Sequence, residues 1–225
     1  MKKIIKYLFL LTGGSFILAS CNDFLDREPL DSVTPDNFFF TENDLAAYAV
    51  KHYNFTTHEG FNAGIWKNDN ATDNQAATDY DKKWIPGQWK VPEAYDNPAS
   101  NDPWYFSAIR EANYFLETVV PRFEKGEIEG SETNIKHYIG EMYFLRAKNY
   151  LSKLETFGDF PIIKNTLPDE SESLIQASKR APRYKVAHFI LEDLDQAISL
   201  LTNNISGGKN RITKNAALLL KSRAA

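Results

Sequence analysis

The chain has 225 residues, 43% of them hydrophobic and 13% aromatic, with 26 Lys and Arg against 30 Asp and Glu for a formal net charge of −4. That length suffices for one sizeable core, and the acidic balance disfavours nucleic acid and anionic headgroups as partners. Cys21 is the one cysteine, so no intramolecular disulfide can form and the fold must rest on packing.

Lys2, Lys3 and Lys6 precede an apolar run from Tyr7 to Ala19, interrupted by Thr12-Gly13-Gly14-Ser15. The run is too short for a comfortable transmembrane helix, which needs about 20 apolar residues, and its flanks fit a signal peptide over residues 1–20. Leu18-Ala19-Ser20-Cys21 resembles the lipobox of bacterial lipoproteins, with Cys21 acylated as the new N-terminus. Each buried acyl methylene contributes about 0.8 kcal/mol, so several chains anchor firmly. Loss of the three signal lysines moves the net charge from −4 to −7, because 23 basic residues then face 30 acidic ones.

Residues 21–40 read as a lipidated tether, polar and proline-containing up to Asp36. A helical domain is expected over 41–225, its first helix opened by Thr41 with Asp44 three residues on, in capping-box spacing. Leu45, Tyr48, Ala49 and His52 follow at helical intervals. Residues 54–102 carry Gly60, Gly64, Pro86, Gly87, Pro92 and Pro98 together with Trp66, Trp84 and Trp89, which predicts a long ordered loop region.

From Pro103 the period turns helical. Trp104, Ala108, Ala112, Phe115, Leu116 and Val119 share a face, Trp104 is assigned to the core, and Pro121 is expected to stop the helix. A long helix then carries Ile135, Tyr138, Ile139, Met142, Leu145, Tyr150, Leu154 and Phe157, with Gly158 at the position of an αL cap. Residues 164–182 read as loop. Val186, Ile190, Leu191, Leu194, Ala197, Ile198 and Leu201 mark the next helix, and a last one starts after Thr213 and is still running where the sequence ends at Ala225. The fold class is therefore all-α. Ile139-Gly140-Glu141-Met142-Tyr143 echoes a tetratricopeptide element, and Ala112 and Ala147 lie close to one repeat period apart, so degenerate tetratricopeptide-like helix pairs are expected.

Catalytic and metal chemistry find little support. His52, His58, His137 and His188 lack zinc-site spacing, and there is no G-x-S-x-G or phosphate loop. Asp69-Asn70-Ala71-Thr72-Asp73 faintly echoes a calcium loop but lacks its required Gly and terminal Glu. No cofactor and no enzymatic activity are expected. Arg146 is read as an ion-pair partner or a helix-to-loop brace, with Glu141 five residues before it. Asp159 is read as bonding its own turn.

Four stretches taken together resemble the SusD/RagB family of nutrient-binding outer-membrane lipoproteins. They are Cys21-Asn22-Asp23-Phe24-Leu25-Asp26 with Pro35-Asp36-Asn37-Phe38-Phe39; Ile109-Arg110-Glu111-Ala112-Asn113-Tyr114-Phe115-Leu116-Glu117; Gly140 to Ala147 with Phe157-Gly158-Asp159-Phe160-Pro161-Ile162-Ile163; and Arg211 to Ala217. The resemblance implies a cell-surface lipoprotein that binds an oligo- or polysaccharide and delivers it to a SusC-like TonB-dependent transporter. It touches the membrane through the lipid alone. Asp23 and Asp26 look like the family's surface-export signal. Family members are much longer, so further ligand residues are expected from a C-terminal part not present in this sequence.

A sugar offers apolar C–H faces ringed by hydroxyls, and a site for it needs flat aromatic platforms beside amides or carboxylates. Residues 66–95 supply both, which makes Trp66, Asp69, Asp73, Asn74, Tyr80, Trp84, Trp89 and Tyr95 the candidate ligand residues, with Gln75 and Gln88 beside them. Each Trp could instead be a loop anchor packed on the helices. The alternative function is a helical-repeat lipoprotein that binds a non-carbohydrate nutrient or a protein partner.

Overall fold

A computed structural model describes residues 38–53, 85–88, 90, 104–205 and 210–225. Cys21 and the candidate ligand residues Trp66, Asp69, Asp73, Asn74, Tyr80, Trp84, Trp89 and Tyr95 lie outside the described residues, as do Gln75, His58 and the calcium-like stretch. Among the described residues there are six helices: α1 (Glu42–Lys51), α2 (Ser107–Lys125), α3 (Glu132–Phe157), α4 (Ser171–Ala177), α5 (Arg183–Leu200) and α6 (Lys214–Ala224). Two isolated bridges, Thr41 to Glu129 and Phe160 to Ala181, add the extended pairing among the described residues.

The first helix starts where the capping box places it. Thr41 accepts the Asp44 amide and the Asp44 carboxylate accepts the Thr41 amide at 3.0 Å, satisfying two otherwise orphaned donors. The same carboxylate takes the Phe40 amide at 3.2 Å. These bonds hold Phe39 at φ 70°, a strained conformation for a bulky residue that persists only when its surroundings over-determine it. They do so here: Phe39 is fully buried, edge-on to Phe38, Tyr48 and Phe115 at 5.0–5.3 Å. The core thus begins inside the stretch read from sequence as tether.

Helix α2 runs past Pro121 to Lys125, correcting the expected stop. Proline removes one helical hydrogen bond, but the following turn is held from outside. Arg122 donates to the Phe38 carbonyl at 2.8 Å and lies over the Phe40 ring at 4.2 Å, and Phe123 packs on the core. Gly126 then ends the helix with φ 71° and ψ 28°, a left-handed cap that suits glycine.

Helix α3 is the central strut, packed against α1, α2, α5 and α6. A Cβ on Gly140 would sit 3.0–3.2 Å from Leu201 Cγ, Leu200 Cβ and the Leu201 amide nitrogen, so the missing side chain is what lets the end of α5 approach. Gly158 caps α3 with φ 72° but ψ −99°. The positive φ calls for glycine as expected, while ψ departs from the αL cap. The stretch read as loop over 164–182 contains α4, a short helix with no buried residue. Its exposure explains why no apolar period announces it. Thr213 caps α6, accepting the Ala216 amide.

Two polar clusters lie within this apolar frame. Glu141 on α3, fully buried, accepts Arg211 at 2.8 and 2.5 Å and His137 Nε2 at 3.1 Å. His137 Nδ1 accepts the Thr202 amide at 3.2 Å, so Nε2 carries the proton it gives to Glu141. His137 is therefore satisfied core. Arg211 also reaches the Ala46 carbonyl at 3.3 Å and lies over Tyr138 at 4.7 Å. The second cluster, around Arg146, builds the site below.

Candidate functional site

The segment between α3 and α4 has no regular structure for most of its length, yet its backbone groups are bound one after another by side chains of the helices. Tyr150 receives the Ile163 amide at 2.8 Å and donates to the Ile163 carbonyl at 3.1 Å. The Asn113 amide group donates to the carbonyls of Ile163 (2.9 Å) and Asn165 (3.3 Å). Arg146 donates to the Lys164 carbonyl at 3.3 Å, and Glu117 accepts the Thr166 amide at 2.9 Å and hydroxyl at 2.7 Å. Asp159 takes the Arg183 amide at 2.7 Å. That corrects the expectation that Asp159 bonds its own turn: it caps α5 from a distance, where a carboxylate also meets the positive end of the helix dipole.

Arg146 orders this web. Its Nε and Nη2 donate to the two oxygens of Asp193 at 2.7 Å each, and its Nη1 donates to Asn113 Oδ1 at 2.8 Å. Glu141, five residues earlier, turns to another face of α3 and serves Arg211 instead. Arg146 is thus both ion-pair partner and helix-to-loop brace. Burial pushes the Asp193 carboxyl above its ordinary range, and the Arg146 guanidinium pulls it back. A buried pair of this kind is worth little against an apolar substitute but costs much when one partner is removed.

The pinned segment forms one wall of a cavity of about 560 Å³, within the ~300–1,000 Å³ typical of small-molecule sites. The turn before α2 supplies Trp104 and Phe106, and the start of α2 supplies Ile109, Arg110 and Asn113. The segment supplies Pro161, Ile163, Asn165, Leu167, Pro168 and Asp169, and α4 supplies Leu174, Ala177 and Ser178. Behind them Phe106, Phe157 and Phe160 form a stack, with Phe160 5.1 Å from Phe106 and 5.3 Å from Phe157. Trp104 joins it at 4.1 Å from Phe157 and 5.6 Å from Phe160. Trp104 is therefore half-buried and packed on the core as expected, though from the turn before α2 and not from a helix face, and it also lines the cavity. The arrangement offers flat apolar surface with hydrogen-bonding groups at the rim, in walls fixed beforehand. It suits holding a ligand. Among the described residues no group of three His, Cys, Asp or Glu could hold a metal ion.

Of the ten side chains expected near the ligand, Gln88 alone falls within the described residues, exposed on a short turn after Ile85. The cavity was not singled out from sequence. Two of its signals were nonetheless present: Asn113 interrupts the apolar face of α2, and Asp193 falls three residues after Ile190, in phase with the buried face of α5. Polar groups at core positions must be bonded to something, and here that something is the wall of the cavity.

The described residues form an all-helical domain with a walled cavity beside α2. The family model described as "Starch-binding associating with outer membrane" matches residues 23–224, and the chain belongs to this SusD-like family. Two curated relatives come from Formosa agariphila: SusD-like protein P38, 27% identical over 203 residues, and SusD-like protein P2, 26% identical over 186. These matches take in 88% and 80% of this chain but 37% and 35% of the relatives. The chain thus spans little more than a third of the relatives it matches. A solved SusD-like protein from Bacteroides fragilis aligns with 88% of this chain and 37% of its own at a TM-score of 0.57 and 25% identity. Its likeness extends to the all-helical fold. Among the described residues no helix is long and apolar enough to cross a membrane.

Proposed function

We propose that this protein is a glycan-binding lipoprotein of the outer cell surface, anchored through Cys21, which captures an oligo- or polysaccharide and passes it to a SusC-like TonB-dependent transporter. The observation that carries the reading is the family match from residue 23 to residue 224, whose description couples starch binding with the outer membrane. The apolar cavity beside α2 supports it, since it can take the C–H face of a sugar ring against Phe106. In this reading Trp66, Asp69, Asp73, Asn74, Tyr80, Trp84, Trp89 and Tyr95 supply further stacking and hydrogen-bonding groups. The protein works by binding and handing over, with no chemical step and no cofactor.

Affinity electrophoresis of the full chain through gels containing starch, laminarin, pectin or a sulfated galactan tests it. Retardation by at least one polysaccharide is expected, with no release of reducing sugar. Unretarded migration in every gel by a protein with a helical circular dichroism spectrum overturns the reading.

A further inference from the structure

Charge beside the cavity is weighted to the positive side. Arg110 lines it, and the guanidinium of Arg180 lies 4.8 Å over the ring of Trp104, which also lines it. Asp169 is the one carboxylate in the wall. Both arginines are exposed, and neither is bridged to a carboxylate among the described residues. Three other arginines are bridged: Arg146 holds Asp193, Arg211 holds Glu141 and Arg223 holds Glu155. An acidic chain, −4 overall, therefore keeps two uncommitted guanidinium groups beside an apolar cavity. Guanidinium is the side chain whose planar fork matches an oxyanion with two parallel hydrogen bonds, and over an aromatic ring its donor edge stays free to do so.

We infer that the cavity takes a sugar bearing an oxyanion, a uronate carboxylate or a sulfate ester, with the ring face against Phe106 and the charged group at Arg110 and Arg180. The inference rests on the glycan-binding reading and names the ligand class for it. Electrostatic attraction across the rim also makes the binding fall with added salt, because both arginines are open to solvent.

Titration calorimetry of the full chain in mild detergent tests it, with tetragalacturonate and a carrageenan-derived sulfated tetrasaccharide as anionic probes and maltotetraose and laminaritetraose as neutral ones. At least one anionic probe binds tighter than both neutral ones, and the binding weakens between low and physiological salt. Preference for the uronate or for the sulfate identifies the source of the oxyanion. Arg110→Ala and Arg180→Ala each weaken it about tenfold, the scale of one charge-assisted hydrogen bond, and Arg110→Lys restores part of the loss. Both sites are exposed, and an unchanged helical spectrum confirms folding. Binding of neutral probes alone overturns the inference and leaves glycan binding intact, as does anionic binding unaffected by either substitution. Binding of none of the four overturns it too, and unretarded migration in all the polysaccharide gels then removes glycan binding itself.

Discussion

Arg146 on α3 and Asp193 on α5 face each other through two parallel hydrogen bonds of 2.7 Å, almost wholly out of solvent. The pair joins the two helices that share the most extensive packing among the described residues. Through the remaining Nη1 of Arg146 it also reaches Asn113 and Lys164, hence the cavity wall. Asp193→Ala leaves the guanidinium buried and unpaired. Its expected cost is about 3–5 kcal/mol, seen as a lower denaturation midpoint in urea with an unchanged slope.

Tyr150 carries a pH signature. Burial pushes its phenol up to about 12 from an ordinary 10.0, so between these values the unfolded chain loses this proton and the folded one keeps it. The contribution is complete below pH 10 and disappears as pH rises through about 12, amounting to roughly 3 kcal/mol at most. Tyr150→Phe is therefore less stable than the parent at neutral pH, where it lacks the two Ile163 bonds, and it declines less steeply between pH 10 and 12. Urea titrations across that range measure both effects.

Much of the frame was legible in the sequence because it obeys short-range rules. Thr41 and Asp44 announce α1, the apolar period announces α3 and α5, and Thr213 announces α6. Pro121 misled because its penalty is local, whereas Arg122 and Phe123 are held by residues more than eighty positions away in the case of Phe38. Helix α4 was invisible because it buries nothing. The cavity was hidden for a third reason: its wall is an irregular segment fixed by Asn113, Tyr150 and Glu117 from other helices. No spacing within the segment encodes that.

Gly140 sets the approach of α3 to the end of α5. In an open helix, alanine in its place would gain about 1 kcal/mol from propensity. Here the new methyl meets Leu200 and Leu201 at 3.0–3.2 Å, and one of those contacts is backbone that cannot swing aside. Overpacking of this kind costs about 1–3 kcal/mol, so Gly140→Ala is expected to lower Tm. A rise in Tm would show that the interface yields.

Glu141 is bound by Arg211 and His137, and it connects α3 to the segment that precedes α6 and, through Arg211, to α1. Glu141→Ala strands a largely buried guanidinium and one imidazole donor. A loss of about 3–5 kcal/mol is expected, and hydrogen exchange should rise first at the amides of Thr202 and Ile212, which bond to His137 and Tyr53.

The central claim, that a glycan sits in the cavity between the start of α2 and α4, is tested most directly by filling it. Ser178 lines the cavity from the exposed end of α4, and Ser178→Trp places an indole there without touching the core. Calorimetric titration of parent and variant with an oligosaccharide from a retained polysaccharide should give saturable binding for the parent. For the variant it should be at least about tenfold weaker, with the same Tm. Parental affinity in the variant, or no binding by the parent, would contradict the account.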